Sequence, residues 1–199
     1  IIIDNKIRNI FPKEVLKEAN QIKEKKENKV KREDYTKPLT FTIDPDNAKD
    51  FDDALSFKKL ENNIFEIGVH IADVSSYVRP DTELDKEARK RGTSVYLANK
   101  VVPMLPERLS NEICSLEPKK NKRAFSIIFT IDKEGNILKE RAARTTILSD
   151  YRFTYSEVQS IIENQKETKD KNKKFEKPIK TVNEISKKIR NKRRERGAI

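Results

Sequence analysis

The 199-residue chain has one histidine, one cysteine, one methionine, four glycines and no tryptophan. A single cysteine excludes an internal disulfide, and Cys114 with His70 cannot supply the ligands of a zinc site. His70 lies in a strand-like run (65–71), where a hydrogen-bonded role inside a sheet is expected, and Cys114 is expected to be a buried thiol. That leaves no histidine for a nucleophilic triad. No apolar run approaches the ~20 residues of a membrane-spanning helix. The opening Ile-Ile-Ile is too short for such a helix or for a signal peptide. These absences lead to the expectation of a cytoplasmic chain in a reducing setting, without membrane contact.

Charge is abundant where these residues are scarce. Asp, Glu, Lys and Arg make up 39% of the chain against 35% apolar residues, which allows one sizeable core under a heavily solvated surface. The formal net charge is +11, and it is not evenly spread. Residues 165–199 hold 14 Lys and Arg against 5 Asp and Glu, and the rest is nearly balanced.

Within this basic chain, residues 42–54 read TIDPDNAKDFDDA and place Asp44, Asp50, Asp52 and Asp53 within ten residues. Like charges so close disfavour one another's ionisation, and a cation among them removes the conflict. Hard divalent ions prefer carboxylate oxygens and often share their remaining positions with water and substrate phosphate. Residues 40–43 are β-prone, and Pro45 then turns the chain. The alternation from Asp50 to Phe57 has strand period, which predicts Asp50 and Asp52 on one strand face with Asp44 approaching from the preceding strand end. Asp53 then faces away unless a bend or bulge re-aims it.

The acids admit two other readings. An EF-hand calcium loop starting at Asp44 fails, because its positions 5, 6 and 12 are Ala48, Lys49 and Leu55. A solvated acidic turn is opposed by the interleaved Ile43, Phe51, Ala54 and Leu55. Spacing alone leaves the turn and the metal site both open.

Several blocks extend the pattern. TFTIDPDNAKDFDDALS is followed by IGVHIADVSSYV (67–78), TSVYLANKVVPMLPERLSNEICSLEP (93–118), RTTILSDYRFTYSEVQSII (144–162) and KKIRNKRRERGAI (187–199). Together, over residues 36–199, they resemble the RNB catalytic domain of the ribonuclease II/ribonuclease R family, nearest its bacterial ribonuclease R branch. Ser76 departs from that likeness where relatives often carry His. The resemblance implies a mixed α/β (α+β) fold, a β-rich core wrapped by helices and cut short of the family's full domain. It implies a Mg²⁺-dependent (or Mn²⁺-dependent) hydrolytic 3′→5′ exoribonuclease that releases nucleoside 5′-monophosphates from single-stranded RNA. Asp44, Asp50, Asp52 and Asp53 match the catalytic, metal-binding aspartates, with Asp44 and Asp53 as direct ligands, Asp52 as the most sensitive and Asp50 in support. Tyr96 matches a tyrosine that stacks near the RNA 3′ end, and Tyr155 a second aromatic near the bound nucleotide. Residues 154–157 also read as a capping box, which gives Tyr155 a plain role in opening a helix. The remaining RNB half, with its phosphate-contacting arginine, and cold-shock-like and S1 modules are expected in the complete polypeptide.

Elsewhere the pattern predicts a helix over 12–28 with Val15, Leu16, Ala19 and Ile22 inward, a polar linker over 29–38, a helix over 81–91 stopped by Gly92, extended chain over 102–106 and a strand over 124–131. Residues 1–35 form a lead-in to the catalytic portion (36–199). Within that portion a solvated connector (163–177) precedes a basic amphipathic helix (178–196), where Arg190, Arg193 and Arg194 are candidate RNA-phosphate contacts. An ordinary solvated helix face is the competing reading of those arginines. Two functions of different class follow: part of a working exoribonuclease, or a non-catalytic remnant that binds RNA or a partner.

Overall fold

The computed structural model describes residues 8–23, 31–98, 100–164 and 172–198. In chain order the elements are α1 (Lys13–Gln21), β1 (Glu33–Tyr35), β2 (Leu39–Asp44), β3 (Asp53–Lys59), β4 (Ile64–Ala72), α2 (Glu83–Arg91), β5 (Val95–Leu97), β6 (Lys100–Val102), β7 (Asn121–Asp132), β8 (Ile137–Leu148), β9 (Tyr151–Thr154), α3 (Tyr155–Ile162) and α4 (Lys173–Glu195). A 3₁₀ turn (Val74–Ser76) and a π-helical turn (Arg108–Ile113) interrupt the connections. Seven strands form one mixed sheet in the order β1-β8-β7-β4-β3-β2-β9, and β5 and β6 form a separate hairpin. β1 runs parallel to β8 and β9 parallel to β2; the other neighbours are antiparallel. This is the expected α+β class.

Strand alternation divides the core between the two faces of the sheet. Ala54, Ala72, Ala124, Ile128 and Ile147 pack with Val15 and Ala19 of α1, Leu84 of α2, and Leu109 and Ile113 of the π-helical turn. The other face offers Phe41 and Phe153 to Phe175 and Ile179 of α4, and Phe57, Phe65, Ile67 and Ile131 to Ile185. Phe153 and Phe175 meet edge-on, ring centroids 5.2 Å apart, in the geometry that aromatic quadrupoles favour. The sheet curls strongly: the Tyr35 hydroxyl on edge strand β1 donates to Glu66 on β4, three strands away, at 2.8 Å. His70 lies fully buried on that concave face, with Nδ1 2.7 Å from Ser126 Oγ, as expected of a sheet histidine. Gly68 is required by close approach, since a Cβ there would fall 2.5 Å from Ser56 Oγ and 2.6 Å from His70 Nε2.

Several expectations are corrected. Helix α1 stops at Gln21 and exposes Leu16; residues 24–28 of the expected helix lie outside the described residues. The supposed linker over 29–38 contains β1, whose three residues are too few to show a period but pair with Thr145, Thr146 and Ile147. Helix α4 begins at Lys173, inside the supposed connector, and Pro178 lies within it. Proline there forfeits one backbone bond near the helix start. Burial of Phe175, Pro178 and Ile179 offsets that loss. Helix α2 closes as expected, on Gly92 with φ +74°.

Candidate active site

The antiparallel pairing of β2 and β3 brings the end of one, Asp44, to the start of the other, Asp53. Between them residues 45–52 form a turn and then irregular chain. Asp50 and Asp52 therefore precede β3 instead of lying on it, which corrects the strand expected from alternation. The period is real but begins at Asp53, because the peptides around Phe51 are bonded elsewhere. Phe51 N–H donates to Ser115 Oγ (3.0 Å) and Leu116 N–H to the Phe51 carbonyl (2.8 Å), while the Asp52 carbonyl still accepts from Ala72 N–H (2.9 Å) in the β3–β4 register. This irregular chain brings all four aspartates into electrostatic reach of one another.

Their electrostatics record the crowding. Burial, with the carboxylates of Asp53 and Asp50 adding to it, raises the pKa of Asp44, while the Thr42 side chain and then the Arg152 guanidinium oppose the rise. Asp52 keeps solvent-accessible surface at a concave mouth, yet the protein around it, followed by Asp50, Asp53 and Asp44, pushes it to about 6. Asp53 is raised by the protein mass around it. Asp44 Oδ2 is buried and has no hydrogen-bond partner. Hard oxygen donors in mutual repulsion, one of them buried and unsatisfied, fit a divalent cation. In the positions they occupy, no three Asp, Glu, His or Cys side chains among the described residues converge closely enough to hold one outright.

Beside the acids opens a cavity of about 550 Å³, lined by Asp50, Asp52, Tyr96, Val101, Met104 and Asn111 among others. The β5–β6 hairpin carries Tyr96 to its mouth, where the exposed ring stands with its hydroxyl 3.4 Å from Asp50 Oδ2. Tyr155 follows Thr154, the register partner of Asp44 in the parallel β2–β9 pair, and is also exposed. Thr154 and Glu157 do form a capping box, so Tyr155 opens a helix at the site's edge. The structure thus brings six of the nine candidate residues to one end of the sheet. Arg190, Arg193 and Arg194 are exposed on the last turns of α4, which dock on the β7–β8 turn: Lys188 Nζ reaches the Lys133 carbonyl and Gly135 faces Ile189. That turn lies at the opposite sheet end, because Ile64 and Asp132 pair there while Ile71 and Phe125 pair near Asp53.

Two residues that hold the acidic segment escaped sequence reasoning. Ser115 bridges Lys49 and Phe51, and Arg152 on β9 donates to the Pro45 carbonyl. Both contacts span more than sixty residues, so no local period announces them.

The RNB domain family matches residues 32–199. The chain is 45% identical to ribonuclease R 1 of Lactococcus lactis over 191 residues, which is 95% of this chain and 23% of that protein. It is 44% identical to ribonuclease R of Thermotoga maritima, covering 95% and 27%. It therefore spans about a quarter of the length of these curated relatives. Among solved structures, Mycoplasma genitalium RNase R in complex with ribose-methylated single-stranded RNA superposes with a TM-score of 0.89 at 33% identity, over 100% of this chain and 31% of that one.

Proposed function

Because this chain belongs to the RNB domain family, we propose that it forms the acidic part of the active centre of a ribonuclease R-like, Mg²⁺-dependent 3′→5′ exoribonuclease. The substrate is single-stranded RNA and the products are nucleoside 5′-monophosphates. The carrying observation is the quartet itself: four aspartates crowded at one sheet end beside a cavity with an exposed tyrosine at its mouth. A chain that only bound RNA would have no physical use for acids that repel both one another and the RNA backbone. Single-stranded RNA is the ligand in the Mycoplasma relative's complex, which supports the same substrate here.

Asp44 and Asp53, at adjacent strand ends, would hold the metal directly, with Asp52 and Asp50 completing the set and orienting water. When bound, Mg²⁺ (or Mn²⁺) supplies Lewis-acid polarisation of the phosphodiester and acidifies coordinated water. Asp52, pushed to about 6 without metal by burial and by Asp50, Asp53 and Asp44, is a carboxylate whose ionised form a bound cation would favour. Tyr96 offers a ring face to any base, a sequence-tolerant way to seat the 3′-terminal nucleotides. Tyr155 would border the same strand. Arg190, Arg193 and Arg194 would contact RNA phosphates only away from the acids. In the whole protein, a cytoplasmic one on this reading, the remaining part of the RNB domain would add phosphate-binding cations, and cold-shock-like and S1 modules would feed the RNA.

Digestion of 5′-labelled single-stranded RNA with Mg²⁺ and with EDTA tests the proposal, using this chain and the whole protein that carries it. A metal-dependent ladder shortening from the 3′ end, lost in Asp52→Asn, is expected. No ladder from either protein would leave RNA binding without catalysis.

A further inference from the structure

We propose that Ser115 and Arg152 act as a two-point clamp that positions the acidic segment, presetting Asp50 and Asp52 without touching metal or RNA. The proposal rests on reading the quartet as a metal site. The segment between β2 and β3 has one short internal tie, Ala48 N–H to the Pro45 carbonyl at 3.1 Å. Its shape therefore comes from outside. Ser115 is fully buried, and its hydroxyl uses both its roles on the peptides flanking Asp50. It donates to the Lys49 carbonyl at 3.0 Å and accepts from Phe51 N–H at 3.0 Å. Leu116 N–H adds a third bond, to the Phe51 carbonyl at 2.8 Å. The backbone on both sides of Asp50 is thus fixed by the chain that follows the π-helical turn.

Arg152 grips the other end. It sits opposite Thr42 in the parallel β2–β9 pair, donates to the Pro45 carbonyl, and lays its guanidinium 5.7 Å from the Phe51 ring centroid. One planar side chain therefore spans from the first residue of the segment to the residue before Asp52. Its positive charge also acts on Asp44. A lysine keeps the charge but not the planar fork, so the two contributions are separable.

The test is Mn²⁺ binding to the 199-residue chain, followed by electron paramagnetic resonance and displaced with Mg²⁺, with thermal unfolding in parallel. Ser115→Ala and Arg152→Met should each weaken Mn²⁺ on the order of tenfold, the usual cost of losing a group that orients metal ligands. Arg152→Lys should recover little if geometry dominates. Ile131→Val, a core change in the separate cluster toward the opposite sheet end, should lower thermal stability while leaving Mn²⁺ affinity at the wild-type value. Unchanged affinity in both clamp variants, or full recovery in Arg152→Lys, overturns the clamp. If Ser115→Ala does not fold, Arg152→Met decides, since its side chain is only half-buried. Failure of the metal reading shows separately, as a wild-type chain that binds no Mn²⁺ or an Asp52→Asn chain that binds it equally well. Amide exchange at Phe51 then reads the clamp without metal: faster exchange in Ser115→Ala supports it, and an unchanged rate overturns it.

Discussion

The two ends of the sheet treat charge in opposite ways. β3 separates them by about 20 Å, at roughly 3.3 Å per residue. At the acid end four carboxylates lie within electrostatic reach of one another, and Asp44 Oδ2 is buried without a partner. At the basic end the lysines are matched. Lys188 Nζ lies 2.9 Å from Glu134 Oε2 and from the Lys133 carbonyl, and Lys192 Nζ reaches the Glu134 carbonyl and Asn136 Oδ1. Charge cancelled by its neighbours holds a helix to a hairpin; charge left uncancelled makes the fold worse and needs another reason to exist. The sign of the net charge, +11, points to neither distinction.

The largest expected effect comes from removing one uncancelled charge. Asp52→Asn should lower RNA hydrolysis by the whole protein about a hundredfold or more. RNA affinity, measured by filter binding at the same salt, should stay nearly unchanged. In metal-free buffer above pH 6 the same variant should unfold at a higher temperature than wild type. A carboxyl whose folded pKa is raised contributes stability below its unfolded value that is lost as pH rises through about 6. A lower melting temperature would mean that Asp52 is partnered, as the basic-end charges are, and would break the contrast.

Much of this arrangement is legible in the chain. The β2 strand, the β7 strand with its Asp132 turn, α2 with its glycine stop and the aspartate quartet all carry local signals: a period, a turn residue or a motif. The parts that are not legible depend on distant partners. β1 is defined by β8, about 110 residues on, and the start of α4 by Phe175 entering a cluster with Phe41 and Phe153. Within the acidic motif the residue types are readable but not the backbone. Ser115 and Leu116 decide which peptides join the ladder, and so where β3 begins. The positions of Arg190, Arg193 and Arg194 relative to the acids follow from sheet register, which composition does not contain.

A second way to sharpen the comparison sets His70 against Asp52. Burial lowers His70 to about 4, so its proton is taken up more readily in the unfolded chain. Stability from the neutral ring is complete above the unfolded pKa of about 6.5 and is lost as pH falls toward 4, a loss of about 3 kcal/mol for a fully buried ring. Asp52 has the reverse sign over an overlapping window and partly compensates. Chemical denaturation of the metal-free chain between pH 7 and pH 4 should show falling stability, with a steeper fall in Asp52→Asn. Equal slopes would place the Asp52 shift elsewhere.

Tyr96→Ala tests the apolar wall of the acid end. An exposed ring contributes little to stability, so the fold should be unaffected. Removing one base stack, worth about 1–3 kcal/mol, should loosen the grip on short RNAs and lengthen the smallest product. A sequencing gel of the limit digest reads this directly. An unchanged ladder would return Tyr96 to an ordinary hairpin residue.

The smallest effects belong to the basic end, where the two kinds of charge occur on one helix. Lys188→Ala removes a solvent-exposed ion pair and should change stability little without altering RNA binding. Replacing Arg190, Arg193 and Arg194 together with alanine should leave stability nearly unchanged and reduce the slope of log affinity against log salt by about 0.7 for each RNA phosphate no longer neutralised. The product ladder should keep its length in both, because these residues lie a strand's length from the aspartates. A slope that moves with Lys188 but not with the three arginines would reverse the assignment, making the docked lysine the RNA contact and the exposed arginines a solvated helix face.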